Sequence, residues 1–294
     1  MRIERFWSGR ADLAESPLWA PAEAAFYWVD IERGQIWRHD GSTRPARCWQ
    51  LDQAVGCIAL RTGGGLLAAL RDGVYALRLQ DDGSHHAERI AAARHGPGLR
   101  FNDGRCDRQG RFWVGSMDDS SGAAAPLGSL ARLSSASEAG GQWQPPLRGD
   151  LRVPNGLAFS PDGRRLYFSD SHASQAIVWV CEYAVESGQA GPPRRFIERL
   201  PAGRPDGAAV DAEGGYWICA NDGAAVLRYT PDGQLDRRIA LPMAKPTMCA
   251  FGGHDLATLL ITSMRPACGP GSEHDGRLCA LRPGVCGLPE ASAI

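Results

Sequence analysis

One pattern recurs six times along the chain, and that repetition constrains the fold more than any other feature. A short apolar run rich in aromatic and β-branched residues appears as YWVDI at 27–31, LLAAL at 66–70, FWVGSM at 112–117, LYFSDS at 166–171, YWICAN at 216–221 and LLITSM at 259–264. The spacing runs from about 39 to about 54 residues, a range in which a fixed period signals a propeller or a solenoid. Six units in 294 residues give roughly one β-sheet blade per ~49 residues. The sequence therefore predicts an all-β fold, a six-bladed β-propeller, as a single domain over 1–294. Radial repetition carries the same step of every unit to one axis, so function is expected there.

Charge narrows the partners. A net charge of −1 and a pI near 6.7 provide no basic field for nucleic acid and no cationic face for a membrane surface. The start, MRIERFWSGR, lacks the apolar stretch of a secretion signal, and no apolar run approaches the ~20 residues of a membrane span. The expected location is the cytoplasm. Nine cysteines fit that expectation. Cys57, Cys106, Cys181, Cys219, Cys249 and Cys279 stand in apolar strand-like runs, where thiols behave as small hydrophobes. No Cys or Cys/His spacing suits zinc, so reduced thiols are expected. Cys268 and Cys286, in Gly/Pro-rich stretches, are the candidates for exposure.

Turn signals separate the strands at short intervals: Asp72-Gly73, Pro161-Asp162-Gly163, Asn221-Asp222-Gly223 and Pro231-Asp232-Gly233. Each supplies the preset or positive φ that tight hairpins need. Only short windows such as 135–139 read as helical. The loops 120–128 and 201–205 are candidates for walls of an axial pocket. The tail 277–288 reads as two further strands about a turn at Pro283-Gly284. A strand from 2–7 is expected to pair with the last blade and remove an open edge.

Aligning the units on the turn glycine ahead of each apolar run brings one step into phase. NDGRCDRQG at 102–110, NGLAFSPDG at 155–163 and DGAAVDAEG at 206–214 match without gaps. They place Asn102, Asn155 and Asp206 at equivalent positions. Glu15 takes that place in the first unit, twelve residues before Tyr27 as Asn155 is twelve before Tyr167. Thr247 begins the sixth unit, and the second offers nothing polar but the flanking Gln53. Each residue precedes what reads as the innermost strand of its blade, so two carboxylates and two carboxamides are expected to converge on the axis. Buried like charges protonate or find a positive partner, and no lysine occupies this step. A hard divalent cation held by Glu15 and Asp206, with Asn155 adding a neutral oxygen, balances the charge. Asn, Asp and Gly before a strand are also ordinary turn residues. The tripeptide Asn-Asp-Gly recurs at 221–223, where it follows the apolar run and reads as a plain hairpin tip.

ESPLWAPAEAAFYWVDI at 15–31, RFNDGRCDRQGRFWVGSM at 100–117, PNGLAFSPDGRRLYFSDS at 154–171, PDGAAVDAEGGYWICAN at 205–221 and KPTMCAFGGHDLATLLITS at 245–263 together resemble the gluconolactonase / senescence-marker-protein (regucalcin) family. The resemblance covers nearly the whole chain in order. It implies a six-bladed propeller with one axial divalent metal and hydrolysis of sugar lactones to aldonic acids. Residue by residue, it implies that Glu15, Asn155 and Asp206 are metal ligands and that Asp206 is also the catalytic acid/base. It implies, too, that Arg100 and Asn102 bind the substrate, with Asp103 orienting its neighbours. There is one departure. Where some members carry a glutamate shortly after the GTM-like triplet, this chain has Ser120, preceded by Asp118 and Asp119, which leaves the identity of the sugar open.

The chemistry is coherent with these residues. A cation polarises a lactone carbonyl and stabilises the charge that develops on its oxygen. Asp206 can take the proton of an attacking water, and Arg100 offers a rigid donor fork to a polyol. There is no Gly-x-Ser-x-Gly and no paired histidine spacing. All-oxygen ligation suits calcium, magnesium or manganese, and zinc also accepts carboxylates. The competing readings are a non-catalytic calcium- or sugar-binding propeller on the same site and a hydrolase of another ester.

Overall fold

The computed structural model of the protein describes residues 2–119, 125–134, 141–266 and 271–294. The second strand of each blade falls where an apolar run was read: Ala25–Asp30, Leu66–Leu70, Phe112–Asp118, Arg165–Asp170, Tyr216–Asn221 and Thr258–Ser263. Nearly every residue of these strands is buried, without the alternation of a one-sided sheet. The reason is packing: a blade is covered on both faces by its neighbours, which selects continuous apolar sequence.

Six antiparallel sheets follow in chain order. Their innermost strands are Ala14–Ala20, Val55–Leu60, Leu99–Cys106, Pro154–Phe159, Arg204–Val210 and Pro246–Gly252. Each touches the innermost strand of the blade before and after it, and the sixth returns to the first, so the propeller is closed. The core is correspondingly divided into apolar clusters between adjacent blades. Trp28, Phe26 and Leu260 fill the junction of blades six and one, and Tyr167, Val178 and Tyr216 that of blades four and five. Closure uses both ends of the chain: Ile3–Arg5 pairs with Cys279–Leu281 as the outer edge of the sixth sheet, as the sequence suggested.

One expectation is corrected here. Past the turn at 283–284 the tail does not form a second strand. It crosses the base of the propeller through isolated bridges, Gly287 to Asp211 and Ala293 to Arg61, because by then the sixth sheet already has its four strands. Helix is confined among the described residues to one short 3-10 turn, Pro21–Glu23; the 135–139 window lies outside the described residues. No helix among them is long and apolar enough to cross a membrane. Cys57, Cys106, Cys181, Cys219, Cys249 and Cys279 are buried free thiols, and Cys286 is exposed; Cys268 is outside the described residues.

Candidate active site

All six innermost strands break register at the same step. The irregularities fall between Glu15 and Leu18, Val55 and Cys57, Phe101 and Gly104, Asn155 and Ala158, Pro205 and Ala208, and Pro246 and Cys249. A bulge re-aims the side chains beside it, and here those are Glu15, Asn102, Asn155, Asp206 and Thr247. At Gly156 (φ 65°) a Cβ would lie 2.7 Å from the Tyr216 hydroxyl and 2.8 Å from Ser169 Oγ, so only glycine fits the step after Asn155.

The structure joins four of the expected residues in one relay. Arg100 Nη1 donates to Asn102 Oδ1 at 2.8 Å. Asn102 Nδ2 donates to Asn155 Oδ1 at 3.0 Å, and Asn155 Nδ2 donates to Asp206 Oδ1 at 2.7 Å. Glu15 stands near the same centre, close enough for the Asp206 charge to act on it, and accepts one hydrogen bond among the described residues, from the Ser16 amide at 3.3 Å. Thr247 does not join them. Its hydroxyl bonds the Ala14 carbonyl and Thr262, tying the sixth blade to the first.

All five site residues are at most 7% exposed, which governs their acidity. Burial, and next the Asp206 charge, pushes the Glu15 carboxyl well above the usual carboxylate range. Burial likewise raises Asp206, to about 7, against the amide N–H of Asn221, which favours the ionised form. Among the described residues no basic side chain hydrogen-bonds either carboxylate. Arg100 spends its Nε on Asp119 at 2.9 Å, and Asp119 also pairs with Arg71. Among the described residues Arg100 Nη2 has no partner, whereas both hydrogens of Asn102 Nδ2 are used, the second on the Pro154 carbonyl at 3.0 Å. Asn102 thus has an acceptor oxygen to offer a ligand but no free donor.

No group of three or more His, Cys, Asp or Glu side chains suited to a metal occurs among the described residues. The axial set contains two carboxylates and supplements them with an amide oxygen. Asn155 Oδ1 accepts one hydrogen bond and retains a lone pair, so Glu15, Asp206 and Asn155 together offer hard oxygen donors at a place where burial opposes the ionisation of both carboxyls. That donor set fits a divalent cation.

Asp103 is not hydrogen-bonded into this relay, although its charge acts on both Glu15 and Asp206: its Oδ2 accepts the Leu157 amide N–H at 2.8 Å, while buried Oδ1 has no partner among the described residues. Asp118 accepts from the Ala125 amide at 3.1 Å. Ser120, where the family pattern departs, lies outside the described residues.

The sequence missed Asn221. Asp222 and Gly223 do make the turn, with Asp222 at φ 66°, but Asn221 is 2% exposed and donates to Asp206 Oδ2 at 2.7 Å. It is not a hairpin tip. The available signal was its place as the last residue of YWICAN, the step that Ser171 occupies in LYFSDS, and Ser171 Oγ accepts from Asn155 Nδ2 at 2.8 Å.

The chain matches the SMP-30/Gluconolactonase/LRE-like region over residues 13–265. It is 41% identical over 259 residues to 6-deoxy-6-sulfogluconolactonase of Pseudomonas putida, covering 86% of this chain and 84% of that protein. It is 33% identical over 257 residues to L-arabinolactonase of Azospirillum brasilense, covering 87% and 82%. Among solved structures it is similar to a calcium-binding protein, regucalcin, from Agrobacterium tumefaciens, with a TM-score of 0.88, 26% identity and coverage of 99% and 96%.

Proposed function

The chain belongs to the SMP-30/gluconolactonase/LRE-like family, and from that membership and the axial site together we propose that it is a cation-dependent sugar lactonase opening an aldonolactone to the aldonic acid. The observation that carries the reading is the pair of buried carboxyls, Glu15 and Asp206, which no basic side chain among the described residues hydrogen-bonds, beside a buried arginine whose Nη2 has no partner among them. The lactonase names of the relatives support the reaction class.

Glu15, Asp206 and Asn155 would hold the cation. When bound, it supplies positive charge that polarises the lactone carbonyl and offsets the charge developing on its oxygen. Calcium, magnesium, manganese and zinc all suit oxygen donors of this kind. Each oxygen of Asp206 accepts one amide N–H and keeps a further lone pair, so one can face the cation while the other takes a proton from the attacking water. The same carboxyl then returns that proton to the ring oxygen as the acyl C–O bond breaks, leaving a carboxylic acid and a free hydroxyl. Arg100 Nη2 donates to the substrate, and Asn102 Oδ1 accepts from one of its hydroxyls. Asp119 and Arg71 hold the guanidinium in place.

A second reading, a propeller that binds a cation without turnover, draws support from the likeness to a calcium-binding protein. Asp206→Asn separates the two. Loss of lactone turnover by about 10²- to 10⁴-fold, the range for a general acid–base, with the fold intact, supports the lactonase. Full turnover in that variant contradicts the mechanism.

A further inference from the structure

The repeat contains a second polar step on the axis, one strand removed from the first. Ser171 and Asn221 are the final residues of the equivalent runs LYFSDS and YWICAN. Each meets the axial residue of its own blade: Ser171 Oγ accepts from Asn155, and Asn221 donates to Asp206. The first blade has apolar Ile31 at this step, so Glu15 has no such support.

Asn221 is itself held. Arg204 is its cross-strand partner and donates Nη2 to Asn221 Oδ1 at 3.2 Å. Arg204 in turn is fixed by Nε to Asp222 Oδ2 at 2.8 Å and by Nη1 to the Ser171 carbonyl at 3.3 Å. Guanidinium only donates and an ionised carboxylate only accepts, so the amide between them has one orientation. Its N–H is directed at Asp206 Oδ2.

We propose that Asn221, locked by Arg204, is a positioning residue that fixes the rotation of the Asp206 carboxylate, so that with Asn155 on Oδ1 both oxygens present their remaining lone pairs in set directions. This rests on the role given to Asp206 above. Asn221 acts through Asp206 and does not itself meet the substrate. The Asn-Asp-Gly at 221–223 thereby divides its work between site and turn.

The test uses Asn221→Asp, Asn221→Ala, Arg204→Gln and the Asn221→Ala/Arg204→Gln double variant. Asn221→Asp keeps the shape and the Arg204 contact but removes the N–H aimed at Asp206. Readouts are kcat and KM on a responsive sugar lactone, calcium or manganese binding by calorimetry on chelator-stripped protein, and melting temperature. Support from outside a ligand or catalytic group typically accounts for about 10- to 100-fold in affinity or activity. Accordingly, kcat of both Asn221 variants falls about 10- to 100-fold with KM nearly constant and melting temperature preserved. Cation affinity of Asn221→Ala weakens. Because Arg204 acts through Asn221, the double variant is no slower than Asn221→Ala alone. Wild-type kcat in the Asn221 variants, a loss confined to melting temperature, or additive losses in the double variant would overturn the inference. Asp206→Asn serves as the control. If it is inactive while the Asn221 variants are unaffected, only the positioning role fails. If it is fully active, the mechanism fails and the inference with it.

Discussion

Asn155 donates to Asp206 Oδ1 across 2.7 Å although 51 residues separate them in the chain. That contact is the repeat made physical. Two residues at one step of adjacent units become hydrogen-bonded neighbours because successive innermost strands line one axis and share one bulge. The same logic carries Asn102 to Asn155 over 53 residues.

Arg100 is expected to be intolerant of its closest replacement. Arg100→Lys keeps the charge but cannot bond Asp119, the Phe101 carbonyl and Asn102 at once while leaving a nitrogen free, as the guanidinium does. Hydrogen bonds to charged groups contribute about 1.5–3 kcal/mol, so kcat/KM should fall roughly 10- to 100-fold. Steady-state kinetics on a responsive lactone checks this, and an unchanged kcat/KM would remove Arg100 from substrate binding.

The cation-free protein should lose stability as pH rises. Glu15 and Asp206 have folded-state pKa values raised by burial, Asp206 to about 7. A group raised on folding contributes stability that is fully present below its unfolded pKa and lost as pH climbs through the folded one. For Asp206 that window runs from about 4 to about 7. Chelator-stripped protein should therefore melt higher at pH 5 than at pH 8, and a saturating divalent cation should remove that difference. The Glu15→Gln/Asp206→Asn variant isolates the effect by lacking this part of the slope. A cation-free slope identical in the variant and the wild type would exclude these carboxyls as its source.

At the opposite end of the axis the tail contributes stability. Arg105 Nη1 meets Glu290 Oε1 at 2.7 Å, with both side chains largely buried, and Arg105 also bonds the Ala208 carbonyl at 3.0 Å. Removing one partner strands a buried charge, a loss of about 3 kcal/mol. Glu290→Ala should lower the denaturant midpoint by a corresponding amount while leaving lactone kinetics at 25 °C unchanged. An unchanged midpoint would show that the tail does not stabilise the base through this pair.

What the sequence made legible follows from where burial and phase coincide. The second strands could be read because both faces are covered, so composition alone marks them. Glu15, Asn102, Asn155 and Asp206 could be read because a fixed step in a closed ring converts sequence phase into proximity. Thr247 shared the phase without the role: a hydroxyl at that step found two protein partners, a choice that depends on neighbouring blades. Asn221 was hidden because Asp-Gly behind it is a genuine turn signal, and nothing local distinguishes a polar residue facing solvent from one facing the axis. Past 283–284 the tail reads as a strand but forms none, because its bridges are single and distributed over several blades. The bond that Arg100 donates to Asp119 reaches 19 positions along the chain to a residue just past the end of the neighbouring strand, outside any local pattern.

The central claim is that two buried carboxylates hold a cation for lactone opening. Acid release by chelator-stripped protein, followed with a pH indicator over gluconic, galactonic, xylonic and arabinonic lactones with calcium, magnesium, manganese or zinc added back singly, tests it most directly. The account predicts negligible turnover without a cation and restoration by at least one, well above spontaneous opening and absent in Asp206→Asn. Turnover that persists undiminished in the stripped protein, or that no cation restores on any lactone although the cation binds, would contradict it.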